Sequence, residues 1–162
     1  MGLATFIGGI HPFEGKELSE DKPIKYLEPL QGEVMVYPLS QHIGAPAKPL
    51  VAKGDHVLKG QIIAEAGGFI SANVLSSVSG TVKGIESKLV ANGAMVQSIL
   101  VENDGEEEAI EGFGTDRDAS KLSKEEIRQI VKDAGIVGLG GAGFPTHVKL
   151  TPKDENAIDY VI

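Results

Sequence analysis

Short apolar runs, separated by turns rich in glycine and polar residues, dominate the chain between residues 33 and 103. The runs predict seven strands, at Val34–Tyr37 ended by Pro38, Pro49–Ala52, His56–Leu58, Gln61–Glu65, Phe69–Leu75, Gly80–Ile85 and Met95–Val101. Turn signals separate them, at Lys53–Asp55, Lys59–Gly60, Gly67–Gly68 and Asn92–Gly93. Strands this short, with turns roughly every eight to twelve residues, indicate a compact sandwich or barrel and not βαβ units.

This periodicity is lost on both sides of the strand region. Residues 1–32 are rich in glycine, proline and charge, which predicts an extended N-terminal arm. His11 in this arm is a candidate ligand, although its place beside Pro12 is equally typical of a turn residue with one hydrogen bond. Residues 104–119 predict an acidic linker, because a run such as Glu106–Glu108 is typical of solvated chain between domains. A metal site built from these carboxylates is the alternative.

The clearest helix of the sequence is predicted at Ser123–Ala134. Ser123 and Glu126 have the spacing of a capping box, in which each residue satisfies a free backbone N–H group of the other. Gly135 follows at the position where left-handed geometry ends a helix. One face of the helix is apolar, and its residues are Ile127, Ile130, Val131 and Ala134.

A glycine-rich loop follows this helix, between Val137 and a further short element predicted at Val148–Leu150. Its glycines are Gly138, Gly140, Gly141 and Gly143. Free N–H groups in such a turn form a concave site for an anion such as phosphate, and Lys149 adds a positive charge. A tight turn without a ligand is the alternative. Because the loop follows a helix and not a strand, it matches neither the Walker motif nor the dinucleotide fingerprint.

Composition and charge narrow the classes of function. The 162 residues suffice for one domain, or for a small domain and part of another, and the core must be aliphatic because only 5% of the residues are aromatic. A net charge of −8 argues against binding to nucleic acid or anionic lipid. The absence of cysteine excludes disulfides, thiolate metal ligands and cysteine nucleophiles in this stretch. No apolar run predicts a membrane span, and no basic segment at the start predicts a secretory signal.

Residues 51–65 and 76–82 resemble the two sequence blocks of lipoyl and biotinyl carrier domains, whose fold is a barrel-sandwich hybrid. In those domains a lysine at a hairpin tip between the blocks carries the prosthetic group, and that tip falls near Gly67–Ile70 here. No lysine lies between Gln61 and Thr81. We therefore expect no lipoyl or biotinyl attachment, and the barrel is interpreted as a docking or structural module.

Three motifs together resemble the RnfC subunit of the Rnf complex, a membrane-bound ferredoxin:NAD⁺ oxidoreductase that pumps Na⁺ or H⁺. They are Phe6–Pro12, Pro38–Ala47 at the entry to the barrel, and Gly135–Leu150 around the glycine-rich loop. The resemblance covers essentially the whole chain. The last motif is also similar to one in the NADH-oxidising flavoprotein subunit of respiratory complex I, which has an arginine where this chain has Leu139.

The resemblance implies a mainly β fold with some α-helix. A barrel-sandwich hybrid domain at 33–103 is expected to precede a helix, the glycine-rich loop and the truncated start of an α/β FMN- and NADH-binding domain at 120–162. The apolar end at Ile158–Ile162 is interpreted as a fragment that stops inside the first strand of that domain.

The resemblance also implies roles for residues of the loop. Gly138, Gly140 and Gly141 would approach the flavin through their backbone. Gly143 would keep the turn tight. Phe144 would contact the nicotinamide nucleotide and Lys149 would help to hold the flavin phosphate.

The activity implied for the parent subunit is hydride exchange between NAD(H) and FMN, followed by electron transfer through two 4Fe-4S clusters. Cysteine runs near the C-terminus hold both clusters in the family, so a fragment without cysteine holds neither. We expect this fragment to bind no cofactor tightly by itself and not to be an active enzyme alone.

The setting implied by the resemblance is peripheral, on the cytoplasmic face of the bacterial cell membrane. Other subunits of the membrane complex are the expected partners, with ferredoxin as an indirect one. Two alternatives stay open: a related flavin and iron–sulfur reductase, such as a cobalamin reductase, and a non-catalytic docking module.

Overall fold

The computed structural model describes residue 13 and residues 15–158. The motif Phe6–Pro12, with His11, and the last four residues of the apolar end lie outside this range. Within the described range, no helix combines the length and the apolar character that a membrane crossing requires.

Seven strands in the first part of the described chain form two short antiparallel sheets. They are β1 (Val34–Pro38), β2 (Lys48–Pro49), β3 (His56–Val57), β4 (Ile62–Glu65), β5 (Val74–Leu75), β6 (Gly80–Leu89) and β7 (Met95–Asn103). The four-stranded sheet has the order β1-β7-β6-β3, and the three-stranded sheet has the order β2-β4-β5. Each predicted strand region therefore overlaps a strand, although several are shorter than predicted.

One aliphatic core lies between the two sheets and receives side chains from both. Its fully buried members are Val57, Ile63, Val78, Val82, Ile99 and Val101. Because alternate side chains of a strand point to opposite faces, each strand contributes every second residue to this core. Burying one such side chain stabilises the fold by roughly 1.5–3 kcal/mol. Two facing sheets around one core are the architecture that the sequence predicted.

The longest hairpin joins β6 and β7, from Gly80 opposite Asn103 to Leu89 opposite Met95. Strand β6 runs four residues beyond its predicted end at Ile85. Most side chains in this extension are exposed, so it lacks the apolar alternation that marks a strand in a sequence. Pairing with β7, and not burial, keeps the extension in the sheet.

The predicted strand Phe69–Leu75 is mostly a loop, and only Val74 and Leu75 are in β5. Side chains replace ladder partners in this loop. Asn73 Oδ1 accepts from the N–H of Ala66 at 2.9 Å, and Ser71 Oγ accepts from the N–H of Gly67 at 2.9 Å. Backbone groups satisfied in this way have no need of a neighbouring strand.

The acidic segment after β7 lies on the barrel. Asp104 accepts a hydrogen bond from Ser79 Oγ at 2.6 Å and pairs with His56 Nε2 at 2.9 Å. Further along, Glu107 forms an ion pair with Lys59. A lone parallel bridge joins Lys59 to Ala109. These contacts differ from those of a solvated linker, because the segment returns to the edge of the sheet.

The predicted helix is confirmed as α1 (Lys124–Asp133), with the complete capping box of Ser123 and Glu126. It lies on the surface and contains no fully buried residue. Gly135 ends it with φ +62° and packs on the barrel, where a β-carbon would lie only 2.4 Å from the carbonyl oxygen of Asn73. Three short elements follow the helix: β8 (Val137–Gly138), β9 (Phe144–Pro145) and α2 (Thr146–Lys149).

Candidate functional site

The glycine-rich loop is the turn of a small hairpin formed by β8 and β9. Gly138 pairs with Phe144, and Val137 pairs with Pro145. The N–H of Thr146 donates to the carbonyl of Ile136 at 2.9 Å, which closes the base of the hairpin. Pro145 is fully buried. The turn residues 139–143 are therefore held at both ends by fixed backbone.

Two of the four predicted glycines are explained by contacts within the described chain. Gly143 has φ +63°, and a β-carbon there would lie 2.8 Å from the carbonyl oxygen of Gln41. A β-carbon at Gly138 would lie 3.2 Å from Lys149 Nζ, which belongs to a flexible side chain and can move. Gly143 is thus required by the fold, as its predicted role in a tight turn implies.

The other two glycines have no such explanation. Around Gly140 and Gly141, no atom of the described chain lies within 4 Å of the place a β-carbon would take. Neither residue has the positive φ that favours glycine. A bare backbone that faces open space leaves its N–H groups available for close approach by a ligand.

The predicted aromatic and basic residues lie beside Gly138. Lys149 Nζ, from α2, lies 5.9 Å from the centre of the Phe144 ring, within the range of a cation–π contact. This placement brings the positive charge to the base of the hairpin. Leu139, at the position where the complex I relative has arginine, is 91% exposed. The turn thus carries an apolar tip where that relative carries a cation.

A cleft of about 590 Å³ separates the hairpin from the barrel. Gly138, Gly141 and Gly143 line it on one side. The barrel lines the other side with residues 40–43 and with residues 90–92 at the tip of the β6–β7 hairpin. Phe144 and Lys149 do not line the cleft. The structure therefore places the predicted residues on two sides of the hairpin, with Gly138 common to both.

Sequence reasoning assigned no site role to the barrel wall of this cleft. Its residues 40–43 belong to the motif Pro38–Ala47, which was interpreted only as the entry to the barrel. The available signal was that this motif has no strand period, yet contains a serine, a glutamine and a histidine in succession. A fixed polar loop of this kind is typical of a binding surface.

Lys149 supplies the positive charge of the hairpin at neutral pH, and the neighbouring histidine does not. Burial, together with the charge of Lys132, lowers the pKa of His147 from its ordinary 6.5. His147 is therefore neutral at pH 7. Over residues 13 and 15–158, no three His, Asp or Glu side chains are placed to hold a metal ion. A metal site at Glu106–Glu108 gains no support.

Two family profiles match the chain. The RnfC barrel sandwich hybrid domain matches residues 4–106, and the Nuo51 FMN-binding domain matches residues 131–162. The first match includes both sheets of the barrel and the first acidic residues that return to it. The second includes the glycine-rich hairpin and all six predicted site residues.

Named relatives align with almost all of the chain. The RnfC-type subunit of the proton-translocating ferredoxin:NAD(+) oxidoreductase complex of Clostridium ljungdahlii is 44% identical over 160 residues, which are 99% of this chain and 35% of that protein. Its counterpart in the Na(+)-translocating complex of Acetobacterium woodii is 42% identical over 161 residues, 98% of this chain and 35% of the relative. The corresponding subunit of the ion-translocating oxidoreductase complex of Rhodobacter capsulatus is 41% identical over 145 residues, 88% and 27% of the two chains.

The chain spans about a third or less of the length of these relatives. The match to the barrel domain nevertheless covers well over half of the chain, and it agrees with the two-sheet architecture. Both the resemblance drawn from the three motifs and the predicted barrel-sandwich fold are confirmed. The chain belongs to the RnfC family, and its first part is the barrel-sandwich hybrid domain of that family.

Proposed function

We propose that the glycine-rich hairpin forms part of an FMN site, at which the complete subunit exchanges hydride with NAD(H). One observation carries this proposal. Gly140 and Gly141 present bare backbone to open space, although neither their φ angles nor their neighbours require glycine. A requirement for glycine that the described chain does not explain favours close approach by a ligand.

The residues of the hairpin fit a flavin nucleotide. The N–H groups of Gly140 and Gly141 would contact its phosphate or ring edge, and Lys149 would neutralise phosphate charge. Phe144 would offer an aromatic surface to the nicotinamide nucleotide. The segment that contains all four residues matches the Nuo51 FMN-binding domain, which supports a flavin in preference to another phosphate compound.

FMN, when bound, supplies the ability to take up two electrons as hydride and release them one at a time. The chain itself supplies position and electrostatics. The hairpin fixes the backbone N–H groups before any ligand arrives, so little conformational entropy is lost on binding. Lys149 provides a charge that remains positive across the physiological pH range, and the neutral His147 adds none.

We place this site in the peripheral subunit of a membrane complex that couples ferredoxin:NAD⁺ oxidoreduction to Na⁺ or H⁺ translocation. The names of the relatives support this setting, since they describe one subunit of such complexes. Other subunits are the proposed direct partners, ferredoxin is an indirect one, and the proposed location is the cytoplasmic face. Two 4Fe-4S clusters would be held outside these residues, because the chain contains no cysteine.

An FMN titration tests the proposal in a complete subunit that carries this sequence at the length of its relatives. Lys149→Ala is expected to raise the Kd for FMN about tenfold or more, because a charge-assisted phosphate contact is lost. Lys53→Ala, in an exposed turn of the barrel, is the matched control and should leave the Kd unchanged. The 162-residue chain by itself is expected to bind FMN only weakly.

Two results would count against the proposal. A complete wild-type subunit that does not bind FMN would reject the site. Equal effects of Lys149→Ala and Lys53→Ala would show that the loss of a positive charge, and not the position of Lys149, matters. Sub-micromolar affinity of the short chain would instead show that the hairpin and barrel suffice for binding.

A further inference from the structure

A buried histidine, His42, lies between the barrel and the glycine-rich hairpin. Its Nε2 accepts a hydrogen bond from the N–H of Ala72 at 3.1 Å, so this nitrogen carries no proton. Nδ1 therefore carries the proton, and it donates to the carbonyl oxygen of Ile43 at 3.1 Å. Both ring nitrogens are engaged by backbone groups, which fixes the ring and the backbone around it.

The backbone beside His42 holds the turn of the hairpin. The N–H of Ile43 donates to the carbonyl oxygen of Ala142 at 3.0 Å. At the next position, a β-carbon on Gly143 would lie 2.8 Å from the Gln41 carbonyl oxygen and 3.1 Å from the Cα of His42. The turn is therefore seated on residues 41–43 immediately after the two glycines that face open space.

The other side of the same barrel segment rests on the connection between β4 and β5. The N–H of Ala45 donates to the carbonyl of Ile70 at 3.0 Å, and Ser71 Oγ donates to the carbonyl of Ala45 at 2.8 Å. Gly44, with φ +100°, packs so closely that a β-carbon would lie 2.1 Å from the carbonyl oxygen of Ile70. The connection that holds the modified lysine in carrier domains thus supports the His42 segment here.

We propose that His42 is a positioning residue for the ligand of the glycine-rich hairpin. Its two hydrogen bonds hold the backbone of residues 41–43 in the conformation that receives Ala142 and Gly143, and this contact sets the direction of Gly140 and Gly141. The proposal rests on the proposed function, because the ligand is the flavin nucleotide expected there. His42 acts through the hairpin, since both of its nitrogens are already engaged within the chain.

Amide exchange in the 162-residue chain, followed by NMR, tests the positioning step without any ligand. His42→Ala should accelerate exchange of the Ile43 amide about tenfold relative to the amide of Ile99 in the core, because loss of the imidazole frees the segment. His42→Gln should restore most of the protection, since its carboxamide oxygen can accept from the N–H of Ala72. His56→Ala is the matched control, and it should leave the ratio unchanged.

The same variants in the complete subunit test the link to the ligand. His42→Ala should weaken FMN binding about tenfold, His42→Gln should recover most of the affinity, and His56→Ala should have no effect. An unchanged exchange ratio in His42→Ala, or an equal acceleration at Ile43 and Ile99, would overturn the positioning role whatever the flavin result. A changed ratio with unchanged FMN affinity would overturn its link to the ligand. If wild-type protein binds no FMN, the proposed function fails, while the exchange ratio still decides whether His42 holds the hairpin.

Discussion

The barrel and the part of the chain that carries the glycine-rich hairpin differ in what their own contacts explain. In the barrel, side chains from both sheets are fully buried in one core. Among the described residues of 119–158, Pro145 alone is buried. Large apolar side chains in this second part are partly or largely exposed, and they are Ile127, Ile136, Leu139, Leu150 and Ile158.

Glycine shows the same difference between the two parts. In the barrel, a β-carbon at Gly80 would lie 2.0 Å from a carbonyl oxygen, and Gly44 is equally tight. Gly140 and Gly141 in the hairpin meet no atom of the described chain. The barrel therefore accounts for its own sequence, whereas the hairpin carries features that only an additional binding partner explains.

Removing a core side chain should produce the largest difference between the two parts. Ile99→Ala, at a fully buried position of β7, is expected to lower the free energy of unfolding by about 2–5 kcal/mol through loss of burial and an internal cavity. Ile136→Ala is the matched variant in the second part. Its side chain is 46% exposed, so the expected loss is below about 1 kcal/mol. Denaturant unfolding followed by circular dichroism measures both, and equal losses would contradict the comparison.

The barrel could be predicted well because its burial follows alternation along the strands. Val57, Ile63 and Val82 were expected to fill a narrow core, and each lies in it. The failure at residues 69–73 has a physical reason. Ser71 and Asn73 side chains satisfy the backbone locally, and a pattern of apolar positions does not register such hydrogen bonds.

The site could be predicted only as a local motif. Gly138 to Lys149 are close in sequence, so the composition of the loop revealed them together. Their seat on the barrel depends on the contact of Ile43 with Ala142, and backbone hydrogen bonds between distant segments leave no residue-type signature. For the same reason, the sequence did not separate Gly143, which the fold requires, from Gly140, which it does not.

Alanine at these two glycines separates the requirement of the fold from that of a ligand. Gly143→Ala should destabilise the chain by about 1–3 kcal/mol, because alanine is strained at φ +63° and would meet the Gln41 carbonyl. Gly140→Ala should change stability by less than about 0.5 kcal/mol. Thermal unfolding of the 162-residue chain compares them.

In the complete subunit, Gly140→Ala is expected to weaken FMN binding although it leaves stability unchanged. Normal FMN affinity in this variant would mean that the open space at Gly140 serves no ligand. A large loss of stability in the same variant would show instead that the fold itself requires glycine there.

A smaller effect is expected where the two parts meet, at Asp104. Hydrogen bonds from the Ser79 hydroxyl, then from the N–H of Glu106 and from His56, lower the pKa of Asp104 from 3.8 to about 2. Because the folded-state pKa lies below the unfolded one, the stabilisation is complete above about pH 4 and is lost as the pH falls towards 2. A shift of this size corresponds to at most about 2 kcal/mol at neutral pH.

Asp104→Asn should therefore lower the free energy of barrel unfolding by about 1–2 kcal/mol near pH 7, and the difference from wild type should shrink between pH 4 and pH 2. Asp118→Asn is the matched control, since Asp118 accepts from Ser120 outside the barrel and its loss should not affect barrel unfolding. If Asp104→Asn behaves like Asp118→Asn, the acidic segment is a linker, as its charge suggested. If it follows the expected pH dependence, the segment unfolds together with the barrel, and the boundary between the two parts lies beyond Glu107.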